Sequence, residues 1–168
     1  MNAGKKIVIV GVSASGKSTF ARELANKLDL PLTHVDAFMW QPGWNYIGDE
    51  ETFEKLKELS TEHEWIIEGY ITKKSRSIVL ERADTLIYLD YPRIVASWRY
   101  IKRWWKHRMN PRPELPGSPE KFSFKFLWLV WRKGEVWKLI PLLKEPANQK
   151  KLITLTSPKK TADFLKSV

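Results

Sequence analysis

Eight consecutive residues, Gly11, Val12, Ser13, Ala14, Ser15, Gly16, Lys17 and Ser18, meet every constraint of the pattern G-x-x-x-x-G-K-[ST]. The chemistry of that pattern is the holding of phosphate. Two glycines allow backbone conformations closed to residues with a Cβ, so successive N–H groups can converge on an anion. Lys17 brings a point charge to the outer phosphates, and the Ser18 hydroxyl is placed to ligate Mg²⁺. Gly11 through Ser18, with Thr19 beside them, is therefore the candidate nucleotide-binding stretch.

Such a loop works only between a strand and a helix. Ile7 to Val10 is a β-branched apolar run of the kind found in a buried parallel strand. Phe20, Leu24 and Leu28 then recur every four residues, with Ala21 and Ala25 alongside, as one face of a helix. The helix N-terminus adds its own dipole to the phosphate site.

Three acids extend the chemistry. Leu32 to Val35 reads as a second strand ending at Asp36, Trp65 to Ile67 as a third ending at Glu68, and Leu86 to Leu89 as a fourth ending at Asp90. Ligands of an open parallel sheet lie beyond the carboxyl ends of its strands, so all three acids are expected at the edge where the loop sits. Asp36 is the candidate for orienting, or taking a proton from, an acceptor hydroxyl. Glu68 and Asp90 are the candidates for supporting Mg²⁺ alongside Ser18, and Leu86 to Asp90 also resembles a Walker B run.

Cations come later in the chain. Arg99 and Arg103 are four apart on one helix after Pro92, a good spacing for clamping phosphoryl oxygens. Ile94, Trp98, Ile101 and Trp105 mark another stripe of that helix, expected to be buried. Residues 109–122 hold four prolines and a glycine between Pro111 and Pro119, which excludes a regular element and suggests a lid. Arg108 and Arg112 flank it, and Arg132 lies on the helix expected over Ser123 to Lys144, with Gly134 and Pro141 as its expected breaks and Phe124, Leu127, Trp128 and Trp131 as its apolar face; one or more of these arginines would close over a transferring group. No paired acids are evident to lock such a lid shut. Between the second and third strands, residues 37–63 include Phe38, Trp40, Trp44 and Tyr46, flat side chains suited to the wall of an acceptor site. This segment has no arginine, which favours an acceptor hydroxyl over an acceptor phosphate.

Composition bounds the possibilities. The chain has 168 residues, enough for one α/β domain, and no cysteine for disulfides or thiolate metal sites. The N-terminal apolar run is too short for a signal peptide, and no stretch approaches a membrane span, so a cytoplasmic protein is expected. Net charge is +10 but uneven: residues 91–168 carry eighteen Lys and Arg against five Asp and Glu. That field attracts polyanions, a nucleotide first and nucleic acid as the rival.

The element order resembles that of adenylate-kinase-like P-loop kinases. Leu30 to Asp36, Trp40, Pro42-Gly43-Trp44, Trp65 to Gly69 and Leu89 to Arg93 further resemble the DNA topology modulation, or FlaR-like, proteins. The resemblance covers essentially the whole chain. It implies a three-layer fold with a five-stranded parallel sheet of order 2-3-1-4-5. It also implies ATP and Mg²⁺ as cofactors and phosphoryl transfer. The single domain would divide into a core (1–36, 64–108 and 123–168), an acceptor insert (37–63) and a lid (109–122). Glu68-Gly69 stands where adenylate kinases have Asp-Gly, and Arg99 and Arg103 stand where they have paired arginines at the lid base. The expectation is a kinase for a nucleoside, nucleotide or hydroxyl-bearing metabolite, as a monomer or homodimer. The alternative is an ATP-switched, nucleic-acid-associated regulator.

Overall fold

In a computed structural model that describes residues 4–149 and 151–168, the apolar runs form one parallel sheet. Its strands are β1 (Lys6–Gly11), β2 (Leu32–His34), β5 (Trp65–Glu68), β6 (Thr85–Leu89) and β7 (Leu152–Leu155), in the order β2-β5-β1-β6-β7. That is the expected 2-3-1-4-5 arrangement. It puts the strand feeding the glycine-rich loop in the centre, with Ile7 to Ile9 of β1 in register with β5 on one side and β6 on the other.

Strand alternation makes three layers. Val8, Val10, Ile67, Leu86 and Tyr88 face one side, against Leu56 of α3 (Asp49–Leu59) and Val79 and Leu80 of α4 (Arg76–Arg82). Ile7, Ile9, Ile66, Ile87 and Leu89 face the other, against Phe20 and Leu24 of α1 (Lys17–Leu28) and Phe164 of α10 (Pro158–Ser167). No described helix is long and apolar enough to cross a membrane.

Several elements depart from expectation. β2 stops at His34, one residue early. Val35 to Met39 forms a short helix, α2, so Asp36 lies in a first helical turn rather than at a strand end. Residues 38–48, whose aromatic and turn residues suggest a loop, instead contain β3 (Trp40–Gln41) and β4 (Asn45–Tyr46), paired as a hairpin around Gly43-Trp44. Past residue 123 the helix is broken into shorter pieces, close to Gly134 and Pro141 as expected. α6 (Phe124–Trp131) ends where Lys133 adopts a left-handed φ of 54°, α7 (Gly134–Trp137) follows, and Pro141 opens α8 (Ile140–Leu143). α9 (Pro146–Gln149) completes this stretch.

The largest correction concerns which faces are buried. On α5 (Arg93–His107), Ala96 and Tyr100 are buried, while Ile94, Trp98 and Trp105 point into solvent. On α6, Val130 is buried and Phe126 packs on Tyr100 at 5.2 Å between ring centres, while Phe124, Trp128 and Trp131 are exposed. The inner surface of α5 is taken by Tyr100 and by the arginines beside it. The apolar stripe is left on the outside.

Candidate functional site

The loop closes as its sequence requires. Ser15 N–H donates to the Val12 carbonyl at 3.1 Å, and Gly16 caps α1 with a φ of 97°, the left-handed region that favours glycine. A Cβ on Gly11 would stand 2.9 Å from the Leu89 carbonyl oxygen, so β1 and β6 meet there without room for a side chain. The Ser15 hydroxyl is buried and unpartnered, and the Lys17 ammonium rests on the Val12 carbonyl at 3.2 Å. A buried unpaired hydroxyl and a parked cation in one glycine-hinged loop fit a phosphate-bearing ligand.

Glu68 stands at the end of β5, almost fully buried. Its carboxylate meets His34 Nδ1 at 2.7 Å. Burial alone would raise its pKa. The His34 hydrogen bond, the Lys17 charge and the Ser18 hydroxyl outweigh burial and hold it below the usual 4.5. It is therefore an anion beside Lys17 and Ser18 at neutral pH. One carboxylate and one hydroxyl form a small donor set, fitting Mg²⁺, which keeps several waters and shares substrate phosphates. Among the described residues no cluster of three or more His, Cys, Asp or Glu forms a protein cage for a metal.

Two clefts meet at this loop. The first, ≈ 480 Å³, runs over Ser13 to Arg22 and is lined by Glu68, Tyr91, Arg99, Lys106 and His107, with Pro158 and Leu165 of α10 at one end. Arg99 donates to the Ser15 carbonyl at 2.5 Å and stacks 5.1 Å from the Tyr91 ring centre. The second, ≈ 800 Å³, lies between the hairpin and α6, walled by Trp40, Trp44, Tyr46, Tyr70 and Phe126. Ser13, Lys17, Asp36, Arg103 and Arg112 line both. The junction of the clefts thus holds a lysine, a carboxylate and two arginines.

Not every candidate lies there. Asp90 lines neither cleft; its carboxylate accepts from the Tyr88 hydroxyl at 3.0 Å and pairs with Lys133. Arg108 and Arg132 are exposed, each over its own tryptophan: Arg108 is 3.8 Å from the Trp105 ring centre and Arg132 4.6 Å from that of Trp128. Neither lines a cleft.

The proline-rich segment is held by single acids rather than paired ones. Glu120 Oε1 lies 3.1 Å from Arg103 Nε and 2.9 Å from Arg112 Nε, and Glu114 pairs with Arg22 of α1. Gly43 N–H donates to the Gly117 carbonyl at 3.1 Å, and the Trp44 indole donates to the Pro119 carbonyl at 2.9 Å. Leu115 is buried beneath the segment.

Arg76 and Glu120 of the second cleft escaped sequence reasoning. Arg76, only 7% exposed, opens α4, and among the described residues its partners are carbonyls, Ile71 at 3.3 Å and Lys138 at 3.5 Å. The observation that residues 37–63 lack arginine is correct but incomplete, because a cation reaches the cleft from another helix. A lone arginine at a helix start carries no sequence signal of that role.

No protein-family model matches the chain. It is 30% identical over 109 residues to cytidylate kinase from Pyrobaculum calidifontis, spanning 58% of this chain and 59% of that one. Among solved structures, shikimate kinase from Bacteroides thetaiotaomicron superposes with a TM-score of 0.61 at 15% identity, covering 96% of this chain and 94% of that one. A gluconokinase from Sinorhizobium meliloti gives 0.57 at 16% identity, covering 99% and 90%. This is the P-loop kinase fold. In that fold the chain places its glycine-rich loop after the central strand, with the aromatic cleft beside it.

Proposed function

We propose that the chain is an ATP-dependent phosphotransferase that moves the γ-phosphoryl group, with Mg²⁺, onto a hydroxyl of a small anionic acceptor. The observation that carries this is the shared lining of the two clefts by Lys17, Asp36, Arg103 and Arg112. Phosphoryl transfer asks a protein mainly to position two reactants in line and to offset charge, and a cationic junction between two clefts suits that task.

Mg·ATP would supply the transferable group and part of the charge compensation. The loop from Gly11 to Thr19 would hold the phosphates, with Ser18 and Glu68 on the metal side; Asp90, tied to Lys133, is not assigned a part. Arg99 and Pro158 would flank the base. In the second cleft the aromatic walls would hold the acceptor and Arg76 its anionic group. Asp36 would accept the proton as the acceptor oxygen bonds to phosphorus and the bond to the leaving oxygen breaks. Residues 37–63 would serve as the acceptor insert and 109–122 as a lid that expels water.

The neighbours in fold and the relative in sequence support the same reading, as do the segments resembling FlaR-like proteins, to which we assign the chain. A cytoplasmic location fits this activity. A nucleic-acid regulator has only net charge in its favour, with no recognition motif.

The test is ADP release over paired acceptors, each acid beside its neutral analogue, for wild type, Asp36→Asn and Arg76→Gln. Acids should turn over and neutral partners should not. Asp36→Asn should lower turnover by about a hundredfold with ATP affinity unchanged, as loss of a positioned base does. Arg76→Gln should raise KM for the acid without lowering kcat equally. An Asp36→Asn protein that is less stable yet fully active removes the base from the mechanism.

A further inference from the structure

Outside the clefts, the surface is most unusual where α5 meets α6. Ile94, Trp98 and Trp105 on α5 are 70, 57 and 65% exposed, and Phe124 and Trp128 on α6 are 78 and 57% exposed. Met109 and Trp131 extend the two ends. Ring contacts bridge the two helices. Trp105 contacts Trp104 at 5.9 Å between ring centres, Trp104 contacts Phe122 at 5.1 Å, and Phe122 contacts Phe124 at 4.9 Å. Isolated exposed apolar residues are ordinary, but a connected strip of this kind marks an interaction surface.

Cations are threaded through the strip. Lys102 lies over Trp98 at 5.2 Å, Arg108 over Trp105 and Arg132 over Trp128. From Arg93 to Arg112 there are seven cations and no acid. The partner must therefore be apolar beneath and anionic at its rim.

We propose that this face docks on an anionic lipid surface. A bilayer of acidic lipids has the required profile: hydrocarbon for Ile94, Met109 and Phe124, an interfacial zone for the tryptophans, and head-group phosphates for Lys102, Arg108 and Arg132. α5 would lie in the plane of the interface with its arginine face turned to the clefts. A second copy of the chain fits poorly, because a two-fold contact would press two acid-free basic surfaces together. Single-stranded nucleic acid fits less well than lipid. One face of each of three tryptophans already carries its own cation, and aliphatic side chains offer a base nothing to stack on. The inference is independent of the phosphoryl-transfer reading, since none of these residues is assigned to catalysis.

The experiment uses the full chain with vesicles of phosphatidylcholine alone and of phosphatidylcholine mixed with phosphatidylglycerol, read by co-sedimentation and by tryptophan emission. Expected are binding to the mixed vesicles, weakening with salt, and a blue shift of emission. The combined variant Trp98→Ser, Trp105→Ser, Trp128→Ser should bind them on the order of tenfold more weakly or worse. Its unchanged ATP affinity would show that it is folded. Absence of binding to mixed vesicles overturns the proposal, as does binding that the triple variant leaves intact. Tryptophan-dependent binding of a single-stranded oligonucleotide without vesicle binding would replace lipid by nucleic acid. Tryptophan-dependent dimerisation without vesicle binding would replace it by a second copy.

Discussion

Helices α1 and α5 carry apolar residues at the same spacing and bury opposite faces. Phe20 and Leu24 of α1 sit against the sheet and α10, while Trp98 and Trp105 of α5 face water. α1 meets the first cleft with its first two turns, Lys17 to Glu23, and its inward stripe of Ala21, Leu24 and Ala25 is core. α5 contributes through its flank. Arg99 and Arg103 line the first cleft and Tyr100 the second, which leaves only Ala96 and Tyr100 deeply buried. A helix that serves a site with its side must hold its stability elsewhere, and its apolar residues become available for another partner.

Four substitutions test that contrast. The largest effect belongs to the end of α1. Lys17→Ala should lower phosphoryl transfer on the order of a thousandfold or more while the fold persists. Calorimetric titration should show weakened Mg·ATP binding, and a folded mutant that binds normally would remove the loop from the nucleotide site. Next comes its flank. Leu24 is fully buried, and Leu24→Ala should cost about 2–5 kcal/mol, measured by denaturant unfolding.

On α5 the inner face should behave in the reverse manner. Arg103→Gln is expected to lower turnover by about tenfold to a hundredfold, with ATP affinity less affected. Glu120 keeps Arg112 as a partner, so stability should change little. A mutant that loses stability but not turnover would make Arg103 a structural latch and dissolve the contrast. The smallest effect is expected outside. Trp98→Ser should alter unfolding free energy by no more than about 0.5 kcal/mol, as surface substitutions do. A Leu24-sized loss would mean that Trp98 is core after all.

The parts of the fold that could be read from residues alone are those governed by local rules. Ile7 to Val10 could only be an inner strand, and the glycines of 11–16 could only be a turn before a helix. Asp36 was expected at a strand end; β2 ends before it, and the short α2 places it in the lining of both clefts. The faces of α5 and α6 were not legible. Periodicity states that a helix has an apolar face and says nothing about whether the core or a partner receives it. Arg76 and Glu120 were missed for a related reason. Each matters through a neighbour far away in sequence, Lys138 for the first and Arg103 for the second. Arg108 was assigned to the site from its place at the edge of the proline-rich segment and Arg132 from its place on the helix after it, whereas each is stacked on a nearby tryptophan.

The hairpin and the proline-rich segment hold each other directly. Gly43 donates to Gly117, Trp44 to Pro119, and the Ser118 hydroxyl to the Gln41 carbonyl at 3.4 Å. If the two segments serve as the acceptor insert and lid proposed above, these bonds would stitch the covers of the two clefts into one leaf. In kinetic terms such a leaf would tie the traffic of both substrates to a single swing. Lifting the cover from one cleft would break bonds that also steady the other, so turnover would have one gate and one opening rate, shared by two molecules of different chemistry.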